Sequence, residues 1–177
     1  MTRVHFNGGA TLGADDLAAL LDRIAVSYAA LHECLEEKLA CLRCAELENI
    51  DSFLGRERLL AAQLIEQDGM RRRIMEQLGR PYGMSAEKAR GMPVRRLAER
   101  LGEPHSSRLC AAADRLKEQI GRTQALAGMV ERVSRDVLVH VREMFAAVAA
   151  PFAGGEGYCP RGATRGSRPR ELFEAVG

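Results

Sequence analysis

Between residues 14 and 48 the apolar positions recur at intervals of three and four, at Leu17, Leu21, Ile24, Tyr28, Leu31, Leu35 and Leu42. That rhythm keeps one stripe on one face of an α-helix. Lys38 falls within the stripe and Ala45 extends it, while Leu20, Ser27, Cys34 and Cys41 run along the neighbouring edge and widen it to what a bundle helix needs. Asp15 and Asp16 place negative charge where a helix N-terminus favours it. A second helix is expected from about residue 51 to 79, capped by Asn49 or Asp51, with Phe53, Leu60, Leu64, Ile74 and Leu78 as its apolar face. The pattern leaves open whether the chain bends or breaks over residues 45–51. Pro81 disfavours helical geometry in the residue before it, so this helix should stop at Gly79.

Residues 80–92 hold one proline and two glycines and read as a connection. Pro93 can open a short helix over about 93–101, ended by Gly102. A long helix over about 105–150 follows. Its stripe runs from Leu109 through Leu116, Ile120, Val130, Val137, Val141 and Met144 to Val148, with the polar Thr123 and Ser134 inside it. At about 1.5 Å per residue such a helix is on the order of 65 Å long and calls for an antiparallel partner, which the first two helices would supply. The expected fold is all-α: an elongated antiparallel helical hairpin or coiled-coil-like bundle over 14–152, with a short connecting helix and flexible termini at 1–13 and 153–177. Nine of the seventeen glycines lie in residues 1–13 or 154–177, which is why the ends read as loose.

Composition agrees with this class. Aromatic residues make up 5% of the chain and tryptophan is absent, so the 46% hydrophobic content is of the helix-forming kind. With 26 Lys and Arg against 24 Asp and Glu, the net charge of +2 exerts no general pull toward nucleic acid or membrane. No apolar run reaches the length that spans a bilayer; "MFAAVAAPFAGG" comes nearest and Pro151 interrupts it. The N-terminus carries no apolar export signal, so the expected compartment is the cytoplasm and the five cysteines should be thiols.

"HECLEEKLACLRC", from His32 to Cys44, gathers three cysteines and a histidine. On a helix Cys34 and Cys41 share a face, but His32 lies about 200° round from Cys34, so one metal ion cannot collect all four. Cys110 and Cys159 are isolated. The cluster therefore reads as packing at the rim of a helical seam, with no metal and no cofactor. His5, His32, His105 and His140 are scattered and no triad spacing exists, so no catalytic residue is assigned and an enzyme is not expected. "RRR" at Arg71–Arg73 points in three directions and reads as a solvated face rather than a nucleic-acid patch.

In the second half of the long helix Leu126, Val133, Leu138 and Phe145 add apolar edges to the stripe. More apolar surface is offered there than one partner helix covers. Two readings fit: a third packed helix, or a groove that receives a partner's amphipathic helix. Beyond it, residues 161–170 are basic, and "PRELFEAV" could present Leu172, Phe173 and Val176 as a short linear element.

The order of these pieces resembles the FlgN-like flagellar export chaperones. The match is carried by the leucine-rich first helix, the acidic break "ENIDSF", the "RRRIMEQLG" helix end, the segment "VRRLAERLGEPHSSRL", the long helix and Tyr158-x-x-x-Gly162. Asparagines common in the middle of that family's long helix are absent from "ERVSRDVLVHV" here. The resemblance implies a cytoplasmic, non-enzymatic type III export chaperone. Such proteins hold the C-terminal helical region of hook-associated proteins 1 and 3, the hook-filament junction proteins, and meet components of the export apparatus. The expected partner-binding residues are then Val133, Val137, Leu138, Val141, Met144 and Phe145, from the wide apolar face of the long helix, with Tyr158 and Gly162, from the element the resemblance supplies. A monomer or weak dimer is expected, needing no cofactor, nucleic acid or membrane insertion. The rival reading is a self-associating coiled-coil structural or adaptor protein, whose stripe pairs with a copy of itself.

Overall fold

The structure, a computed structural model, describes residues 13–153. It is a helical bundle with no strand among those residues: α1 (Ala14–Cys44), α2 (Ile50–Gly79), α3 (Ala86–Gly91), α4 (Val94–Leu101) and α5 (His105–Ala153), with 3-10 turns at Leu47–Asn49 and Arg80–Tyr82. The chain divides into two units, residues 1–133 and 134–177.

In the first unit α1 starts as its charges require. The Gly13 N–H donates to Asp16 Oδ2 at 2.7 Å, and Asp15 and Asp16 occupy the first turn. The helix ends at Cys44, short of the expected 48, because Ala45 adopts a left-handed conformation with φ 57°. The Glu46 N–H then reaches Cys41 O at 3.0 Å and the Ala45 N–H reaches Leu42 O at 3.4 Å, the Schellman pattern that closes a helix. The open question over 45–51 is thereby decided: the chain breaks and reverses.

Partner numbers show the direction of each pairing. Lys38 meets Glu57, Glu37 meets Arg56, and Ser27 meets Gln63 and Gln67, so α2 runs antiparallel to α1. Against α5 the numbers rise together: Asp15 pairs with Arg108 and Asp22 with Arg115, each 93 residues on, and Tyr28 O accepts from Thr123. Within the first unit α5 is therefore parallel to α1 and antiparallel to α2, whereas the helix lengths alone predict that both of the first two helices lie antiparallel to it. The reversal at Ala45 is the physical reason. It returns the chain to the start of α1, and α5 sets out from there.

The link from the end of α2 to α5 is made by α3 and α4. Residues 80–92, expected to be a plain connection, contain the helix Ala86–Gly91, whose N-cap Ser85 accepts the Lys88 N–H at 3.3 Å. Ala89 is buried. A Cβ on Gly79 would lie 2.8 Å from Ala89 Cβ, so α2 and α3 approach as closely as they do because residue 79 has no side chain.

The core has two parts. Leu17, Leu20, Leu21 and Ile24 of α1 pack with Ile74 and Met75 of α2, Leu97 and Ala98 of α4, and Leu109, Ala112 and Leu116 of α5. Further along, Leu35, Leu39 and Leu42 pack with Val130. A polar level lies between them in sequence. Ser27 Oγ donates to Arg23 O and accepts from Gln63 and Gln67 at 3.1 and 3.0 Å, while Thr123 Oγ1 donates to Gln119 O and Tyr28 O. Ser27 and Thr123 are both buried. Such a level tolerates few slips of register, because a shift leaves its hydroxyls unpaired.

Candidate partner-binding surface

The second unit is described over residues 134–153, all of them helical. At 100° per residue, Val137, Leu138, Val141, Met144, Phe145 and Val148 occupy a stripe about 120° wide. Asp136, His140, Arg142 and Glu143 fall outside it. What matters is what covers the stripe. Leu138 is 57% exposed, Phe145 70% and Val148 66%, with Met144 at half exposure and Val137 and Val141 intermediate. Soluble chains rarely leave neighbouring large apolar side chains on one helix face in water, and each one buried by a partner contributes about 1.5–3 kcal/mol.

Of the sequence-assigned residues, Val137, Leu138, Val141, Met144 and Phe145 thus lie on one face of one helix. Val133 does not join them. It belongs to the first unit and is packed, partly buried, against the cluster of Leu35, Leu39, Leu42 and Val130. The physical reason is that α1 still flanks α5 at that level, so Val133 completes the core. Tyr158 and Gly162 lie outside the described residues. Val148 belongs to the stripe by its spacing, and its exposure adds it to the face. Val139, 48% exposed, sits off the stripe and has no periodic signal.

The cysteine stretch forms no shared centre. Cys34 is buried with Sγ 3.9 Å from Phe53 O, Cys41 is half-buried and Cys44 exposed. Burial pushes the Cys34 thiol above its ordinary range, outweighing the nearby Arg56 charge, so its nucleophilic thiolate is suppressed. His32 turns to Glu36, with Nε2 3.5 Å from Oε1, and His105 to Asp15 at 3.6 Å. Among the described residues no cluster of His, Cys, Asp and Glu is placed to hold a metal ion, and no helix is long and apolar enough to cross a membrane.

A family model described as FlgN protein matches residues 13–166, most of the chain. No curated protein and no solved structure matches it.

Proposed function

Since this chain belongs to the FlgN family, whose members are flagellar export chaperones, we propose that it holds the C-terminal helical region of hook-associated proteins 1 and 3 in the cytoplasm before their secretion. One observation carries the reading: Leu138, Met144, Phe145 and Val148 stand exposed at helical spacing in the second unit. A subunit awaiting assembly has an amphipathic helix without its final neighbours. A stripe of apolar side chains can shield that helix reversibly, because the contact is non-directional and needs no covalent step. Tyr158 and Gly162, which follow this helix in sequence, are assigned to the same contact, and no catalysis is involved.

The test is a pull-down of purified C-terminal segments of the two junction proteins by the full chain and by Leu138→Asp and Phe145→Asp. Both side chains are exposed, so the variants should keep their helix content. Capture by the parent chain and loss in both variants is expected. Equal capture by all three would remove the stripe from the binding reaction.

The same spacing favours a second reading, in which the stripe zips to a second copy of this chain. Light scattering separates the two. A monomer or weak dimer that takes up a client segment at one to one supports the chaperone reading, and a tight dimer that excludes the segment supports self-association.

A further inference from the structure

Along α2 of the first unit two open depressions meet at Arg72. One, of about 510 Å³, is lined by Tyr28 of α1 and by Leu64, Ile65, Asp68, Gly69 and Arg72. The other, of about 410 Å³, is lined by Arg71, Arg72 and Arg90 together with Gly91, Met92 and Pro93. Together they make a trough that is apolar at one end and rich in guanidinium at the other. Ile65 at the apolar end is 75% exposed, and Leu59, earlier on the same helix, 73%.

The charge is concentrated rather than average. Residues 71–100 as a whole hold nine Lys or Arg against three Glu, and of these Arg71, Arg72 and Arg90 line the trough, against the one lining carboxylate Asp68. The arginines lining the trough are held in place by carboxylates. Arg71 and Arg72 each give Nε to Asp68, at 2.8 and 2.7 Å, and Arg90 gives Nε and Nη2 to Glu76 at 3.0 and 2.7 Å. These pairs orient the guanidinium planes and leave the Nη groups of Arg71 and Arg72 for a further oxyanion. Asp68 is shared by two arginines, so its own charge does little to repel one.

We propose that this trough is a docking site for an acidic amphipathic segment of another protein. Its apolar side chains would rest on Tyr28, Leu64 and Ile65, and its Asp or Glu side chains would bind Arg71, Arg72 and Arg90. Charge complementarity selects the occupant, and an apolar end made of Leu64 and Ile65 with the single ring of Tyr28 suits the apolar face of a polypeptide better than a nucleic acid, whose successive bases need several stacking platforms. The site lies in the first unit and shares no residue with the stripe of residues 137–148, so it does not depend on what that stripe binds.

The experiment uses the full chain and fluorescence anisotropy with four probes: a helical peptide built from Leu and Glu, the same peptide with Lys for Glu, a single-stranded oligonucleotide, and phosphatidylglycerol vesicles. The Leu/Glu peptide should bind at least about tenfold more tightly than the Leu/Lys peptide and weaken as salt is raised. Arg72→Glu and Ile65→Asp should each weaken it about tenfold with unchanged circular dichroism, since both side chains are largely exposed. Phe145→Asp should leave it unchanged. Equal binding of the two peptides, indifference to both trough variants, loss in Phe145→Asp, or tighter binding of the oligonucleotide or vesicles would each overturn the proposal.

Discussion

Lys38 Nζ lies 2.9 and 3.0 Å from the two carboxylate oxygens of Glu57, an ion pair that ties α1 to α2 with only 12% of the lysine side chain and 21% of the glutamate exposed. The lysine occupies a place in the apolar stripe of α1, and Glu57 is what makes a charge tolerable there. Glu57→Gln leaves the ammonium largely buried without its counter-charge and should destabilise the fold by about 1–3 kcal/mol in urea unfolding. The double variant Lys38→Met with Glu57→Leu should recover most of that loss, because two apolar groups suit the seam as well as a desolvated pair does. A double variant less stable than either single would show that the pair contributes more than it costs.

Gly79→Ala tests the approach of α3 to α2. The new methyl would meet Ala89 Cβ at 2.8 Å, closer than two carbons pack, and Ala89 is buried. A loss of about 1–3 kcal/mol is expected from denaturant midpoints, and Ala89→Gly in the same chain should restore part of it. An unchanged midpoint would mean that α3 swings aside without cost.

Ala45→Gly should have the opposite sign. Ala45 holds a φ of 57°, a region where a Cβ is strained, and it does so to close α1 and turn the chain. Glycine removes the strain but adds freedom to the unfolded chain, so the net gain expected from thermal melts is about 0.5–1 kcal/mol. A lower melting temperature would mean that the unfolded-state term wins.

Acid should loosen the connecting segment. Hydrogen bonds from Arg90 and Arg80 hold the Glu76 carboxyl below its ordinary range, and Arg95 does the same for Asp114. Burial raises the Asp68 carboxyl, but Arg71 and Arg72 outweigh it and leave it lowered. A depressed folded value means that the stabilisation is fully present above the ordinary carboxylate pKa and is lost as pH falls through the lowered one. Stability measured from neutral pH downward should therefore decline in the acidic carboxylate range, and Glu76→Gln should flatten that decline while lowering stability at neutral pH. The same acid slope in the Glu76→Gln variant would assign the effect to other groups.

Particular residues explain what the amino-acid order can and cannot tell. The heptad spacing of Leu17 through Leu42 and of Leu109 through Val148 is enough to place both long helices, since periodicity is a local property. The start of α1 is legible in Asp15 and Asp16. Its end is not, because nothing about alanine announces a left-handed residue, and the break at Ala45 is stabilised by backbone bonds that any residue could make. The helix Ala86–Gly91 is short, and what distinguishes it is the burial of Ala89 against Gly79, a contact between elements that periodicity within either one does not reveal. The arginines of residues 71–73, read singly, look like a solvated face; the trough emerges only when Arg90, distant in sequence, is brought beside two of them.

The class of fold, the faces that the long helices bury and the stripe of residues 137–148 are written in the order of residues, because each depends on the angle between neighbours along one helix. Packing between helices was needed to establish that α5 runs parallel to α1, that Val133 is packed against the cluster of Leu35, Leu39, Leu42 and Val130, and that Lys38 has a carboxylate waiting for it. Those outcomes depend on which way the chain turns between helices, and a turn is set by a few weak contacts whose partners lie elsewhere in the chain.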